Sequence, residues 1–194
     1  MVAMTDARAT LPVDRPLTID DLDLLPDDGC KYELDDGVLV VSPAPVIGHQ
    51  IVVQRLSERL SAFCPPSALV LPGPGLVMSR FQYRIPDLVV VEVASIHFDD
   101  KSVTRPPLLA IEVASPSTAI YDRNRKKELY AGFGIESYWI VKPDLGKPVV
   151  TAFELRKGEY RQIAEVAGDE TFRATRPFAC EIVLTDLVAG PWQV

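Results

Sequence analysis

Cysteine is scarce in this 194-residue chain: Cys30, Cys64 and Cys180 stand alone and far apart. They are too few for a disulfide framework and wrongly spaced for a zinc site, and they fit a reducing compartment. Histidine is scarcer still, with only His49 and His97. No stretch reaches the ~20 consecutive apolar residues of a membrane span. The opening residues carry acids where a secretory signal needs a basic start and an apolar middle. The expectation is a cytoplasmic protein with no membrane partner. Repeats and low-complexity tracts are absent too, which excludes solenoids and fibrous arrays.

Basic charge is also in deficit, at a formal net charge of -7. The deficit is local. Residues 1–40 hold ten acids and three bases (Arg8, Arg15 and Lys31), whereas the remainder is balanced at 17 of each. From Arg80 to Lys127 there are eight bases and six acids, so a neutral to positive surface can exist there without long-range steering of a polyanion. With 47% hydrophobic and 24% charged residues the composition is that of a globular protein, and the length suits about one domain. The expected organisation is an acidic arm over 1–28 followed by a single domain over 29–194.

Local patterns supply the elements. Residues 31–34 and 38–41 read as two strands around an Asp-Gly turn, a strong hairpin signal. Val52, Val53, Leu56, Leu60 and Phe63 recur at three- and four-residue steps, predicting a helix over 46–63 closed by Pro65 and Pro66. Residues 68–78, broken by Pro-Gly-Pro-Gly, read as one interrupted strand or two short ones. The runs 87–93 and 108–114 are β-branched with little alternation, as for strands covered on both faces. A Ser-Pro-Ser-Thr turn at 115–118 should cap a helix over 119–133, and strands follow at 137–141, 149–154 and 159–163. The predicted class is α/β, with a mixed sheet flanked by helices and an N-terminal hairpin.

Two acids stand out by position. Asp87 opens one buried strand and Glu112 lies near the end of the next. If those strands are antiparallel the two carboxylates meet at one sheet edge, an arrangement that holds Mg²⁺ or Mn²⁺; two unrelated, solvated rim acids are the alternative. On the following helix, Ala119, Asp122, Lys126, Leu129, Tyr130 and Phe133 share a face, so Lys126 is aimed at the sheet while Asn124, Arg125, Lys127 and Glu128 point away. A snorkelling Lys126, or one paired with Asp122, would look the same. His49 lies on the apolar stripe of the first helix and either borders the site or is a hydrogen-bonded core residue. Glu33 is a third acid, either a ligand or an exposed hairpin charge. His97 has a loop context and no evident partner.

These residues carry a resemblance. Tyr-Glu-Leu-Asp-Asp-Gly-Val-Leu-Val from Tyr32, Ser-Pro-Ala-Pro from Ser42, His49-Gln50, Pro86-Asp87, Ile-Glu-Val-Ala-Ser-Pro-Ser-Thr from Ile111, Asp-Arg-Asn-Arg-Lys from Asp122, Tyr130 and Ser-Tyr-Trp-Ile-Val from Ser137 are similar to the Uma family of putative restriction endonucleases, within the PD-(D/E)XK nuclease superfamily. The likeness runs from about Thr18 to Val188. It implies a restriction-endonuclease-like core, with Asp87 and Glu112 as metal carboxylates and Lys126 as the site lysine. The chain departs from the simple superfamily motif at Ala114, where that motif places its lysine, and from many relatives at Lys142, where they carry an acid.

The function implied is Mg²⁺- or Mn²⁺-dependent hydrolysis of nucleic-acid phosphodiesters, with DNA as the expected substrate and a homodimer as a possible assembly. Asp87, Glu112, the Val113 carbonyl and Glu33 would hold metal. Lys126 would orient water or stabilise the oxyanion, and His49 would act as a rim acid or phosphate contact. The competing function is a catalytically silent nuclease-like module that binds DNA or a protein.

Overall fold

The computed structural model describes residues 11–114 and 120–192. The elements in chain order are β1 (Lys31–Asp35), β2 (Val38–Ser42), α1 (Ile47–Phe63), β3 (Ala68–Pro72), β4 (Leu76–Ser79), β5 (Gln82–Arg84), β6 (Leu88–Glu92), β7 (Leu109–Val113), α2 (Ile120–Phe133), β8 (Ser137–Lys142), β9 (Val149–Arg156), β10 (Glu159–Ala167), β11 (Thr171–Ala174), β12 (Cys180–Val183) and α3 (Leu184–Val188). The expected Ser-Pro-Ser-Thr turn at 115–118 and Ala119 lie outside the described residues, as do Met1–Thr10 of the lead and the side chain of Asp122.

The centre is a mixed sheet of six strands in the order β10-β9-β8-β7-β6-β3. β7 and β8 run parallel, joined by α2 as the crossover, and the other neighbours are antiparallel. β6 shows why its sequence lacks alternation. Leu88 and Val90 pack into one core with Val52, Leu56 and Leu60 of α1, while Val89 and Val91 pack into a second with Tyr130 of α2. Both faces of the strand are covered, so neither can be polar. Trp139 of β8 closes the first core edge-on to Phe172, with ring centroids 4.8 Å apart.

A second sheet, β2-β1-β5-β4, carries the hairpin. Asp36 and Gly37 sit at its turn with φ of 50° and 79°, the left-handed backbone an Asp-Gly turn supplies. The stretch 68–78 is cut at Gly73, and its halves serve different sheets: β3 pairs with β6, and β4 pairs with β5. The described lead is tied to the hairpin. Leu17 N–H donates to Gly37 O and Ile19 N–H to Arg80 O, while Arg15 grips the buried Asp21 carboxylate with two 2.8 Å hydrogen bonds.

Candidate active site

Pairing of β6 with β7 sets Leu88 opposite Ile111, so Asp87 and Glu112, the next residues outward, are neighbours at one end of the central sheet. Asp87 is buried at the rim and heavily engaged. Its Oδ2 accepts the Val113 N–H at 2.8 Å and lies 3.0 Å from His49 Nε2, and its Oδ1 lies 2.6 Å from Lys31 Nζ. Burial alone would raise its pKa. The His49 hydrogen bond and the Lys31 ammonium outweigh burial and hold the group down to about 2.

Glu112 has the opposite balance. Lys126 Nζ approaches Oε2 at 3.1 Å and Tyr130 Oη donates to Oε1 at 2.6 Å. Burial is the largest influence and raises the pKa. Lys126 opposes it, the Asp87 and Glu33 charges add to it, and the group is pushed up to about 7. Two adjacent carboxyls with pKa values driven apart are a feature of sites that handle charge or protons.

Strand alternation on β1 sends Lys31, Glu33 and Asp35 to one face. Each meets a different partner. Glu33 accepts the Ile85 N–H at 2.7 Å and faces Arg84 at 3.5 Å, and its Oε1 is 4.0 Å from Lys126. Asp35 pairs with Arg84 at 2.9 Å and with Arg125 of α2 at 2.9 Å. Buried Arg84 thus neutralises two hairpin acids, and Arg125 clamps the hairpin to α2.

The family model described as Uma2, putative restriction endonuclease, matches residues 19–186. The chain belongs to this family. Among solved structures, this Uma2-family chain is similar to a protein from Anabaena variabilis ATCC 29413, described as a putative nuclease belonging to DUF820. The TM-score is 0.69 at 18% identity, over 89% of this chain and 98% of that one. That likeness speaks for the fold. No curated protein matches the chain.

The structure brings Asp87, Glu112, Lys126 and His49 together. Glu33 adjoins them, but it is taken by Ile85 and Arg84, and among the described residues no three His, Cys, Asp or Glu side chains are grouped to hold a metal ion. Val113 is placed beside Asp87 through its N–H. His97 is in an exposed turn after β6, its N–H bonded to Asp100. Of the α2 residues expected to point away, Arg125 instead reaches Asp35 and Lys127 Nζ lies 3.9 Å from the Phe153 ring centroid, because the hairpin and β9 flank the helix on both sides.

The sequence pattern singles out neither Lys31 nor Arg84, and it turns Arg125 away from its partner Asp35. Lys31 was findable: period-two alternation puts it on the face of Glu33. Arg84 was hidden because β5 is only three residues long. The donor set fits a hard divalent cation, since the carboxylates of Asp87 and Glu112 sit on neighbouring strands at one sheet edge and hard oxygen donors are what such an ion takes.

Proposed function

We propose that this protein hydrolyses nucleic-acid phosphodiester bonds, DNA foremost, with Mg²⁺ or Mn²⁺. The observation that carries the reading is the adjacency of Asp87 and Glu112, with Lys126 Nζ 3.1 Å from Glu112. Family membership supports a nuclease-like role. Asp87, Glu112 and the main-chain carbonyl of Val113 would hold the cation. The cation supplies positive charge against the phosphate and makes water a stronger acid. Lys126, anchored on Glu112, would orient a water or stabilise the developing oxyanion. Tyr130 fixes the Glu112 carboxyl through its hydroxyl, and the Val113 N–H and His49 together fix Oδ2 of Asp87.

One observation favours the silent-module reading: both oxygens of Asp87 already have protein partners. Plasmid and single-stranded DNA incubated with Mn²⁺, Mg²⁺ or chelator separate the two. Metal-dependent nicking, abolished by chelation and lost in Asp87→Ala and Lys126→Ala, is the expected result. Cleavage that persists in Asp87→Ala, or none of any nucleic acid with any divalent cation, would overturn the hydrolytic reading.

A further inference from the structure

Asp87 has one oxygen fixed by the fold and one held by a side chain at the cleft. Oδ2 takes the Val113 N–H and His49, both carried by regular elements. Among the described residues, Oδ1 has Lys31 as its partner at 2.6 Å. Lys31 is the first residue of β1 and its side chain keeps 28% exposure, against 6% for Asp87. It lines an open cavity of about 420 Å³ together with His49, Gln50, Gly73 and Asp87. A lysine has a flexible four-carbon stem and a compact charge, so this end of the pair can move while the other cannot.

We propose that Lys31 is the resident counter-cation of the site. It occupies Asp87 Oδ1 until a divalent cation displaces it, and it then contacts a phosphate oxygen of the nucleic acid in the same cleft. The inference rests on the reading of Asp87 as a ligand. Its physical basis is electrostatic. A carboxylate buried at a strand end needs a cation at all times. The ammonium meets that need in the free protein and competes with any ion seeking the same oxygen. Once displaced, it is an unpaired positive charge beside the position a phosphate would take. Lys31 in this account touches the substrate itself, at a phosphate oxygen, and is distinct from Lys126, whose anchor is Glu112.

The two roles predict opposite effects of one substitution, which a merely structural role would not. Calorimetric titration with Mn²⁺ should show Lys31→Met binding about tenfold more tightly than wild type, since a like charge near the ion is gone. Lys31→Arg should stay near wild type, and Lys31→Gln serves as the neutral variant if Lys31→Met does not fold. Oligonucleotide binding measured across a salt series should show the neutral variant losing about one phosphate contact from the salt slope in Ca²⁺ and none in chelator, where Lys31 is tied to Asp87. Mn²⁺ affinity that is unchanged or weaker in the neutral variant, or a slope loss equal in Ca²⁺ and chelator, would overturn this inference and leave the hydrolytic reading standing. Failure of both wild type and neutral variant to take up Mn²⁺ would overturn the two together.

Discussion

Asp87 and Glu112 are neighbours of the same chemical type, yet one is held ionised and the other is held toward its protonated form. The difference is in what each faces: Asp87 has a lysine, a histidine and a backbone N–H, whereas burial and two nearby carboxylates outweigh what Lys126 and Tyr130 give Glu112. Because the folded pKa of Glu112 lies above its ordinary value of 4.5, this group's contribution to stability is complete below about pH 4.5 and is lost as pH rises through about 7. Urea unfolding of the metal-free protein should therefore show wild type losing stability, on the order of 2 kcal/mol, between pH 5 and 8, with Glu112→Gln flat over that range. Asp87 has the opposite sign, its contribution being lost as pH falls from about 4 through about 2, so the two windows do not overlap. Tyr130→Phe should cost about 1 kcal/mol of stability through the lost hydroxyl contact and should slow metal-dependent cleavage by freeing Glu112 to turn. A cleavage rate equal to wild type would show that Tyr130 does not hold the carboxyl in place.

At the scale of elements, the hairpin and α2 are joined by charge. Arg84 is almost fully buried and shared by Glu33 and Asp35, while Arg125, only partly buried, binds Asp35 and the exposed Asp36 where water can reach the charges. Removing a buried partner strands the other charges, whereas removing an exposed one costs little. Arg84→Met should destabilise the fold by about 3 kcal/mol and Arg125→Met by less than about 1 kcal/mol, measured as shifts in urea midpoint. Equal losses would mean that Arg84 is not the centre of the network. Gly37 is fixed by two constraints, a φ of 79° and a Cβ that would fall 2.5 Å from Pro16 Cβ, so the turn also determines how the lead docks. The hairpin, α1, β6, β7 and β8 were legible in the sequence because each carries its own period or turn residues. The strands β5, β11 and β12, of three or four residues, and the five-residue helix α3 were not, since a strand that brief or a helix of little over one turn shows no period.

For the molecule as a whole, the central sheet serves two cores, and Leu88 lies fully buried in one of them, next to the site. Leu88→Ala should cost about 2–5 kcal/mol in chemical denaturation, the range for a large cavity in a packed core. Metal uptake should weaken with it, because Asp87 is the adjoining residue. The acidic excess lies in the first forty residues, so nucleic-acid binding should show a shallow salt slope, of magnitude below about 4, reflecting few phosphate contacts. A steep slope would point to an extended basic interface instead.

Some of this was determined by the sequence alone. Strand and helix periods are written in residues one to four apart, and so is the placing of Asp87 at the start of a buried strand and Glu112 near the end of another. The inward aim of Lys126 followed from helical geometry in the same way. Other features needed the tertiary structure: that β6 and β7 are antiparallel neighbours, that Lys31 reaches Asp87 from 56 residues away, and that Arg125 and Lys127 find partners on either side of α2. The physical reason is range. Backbone conformation and amphipathic period depend on near neighbours, whereas the partner of a charge depends on register and topology, which are decided by the packing of the whole sheet.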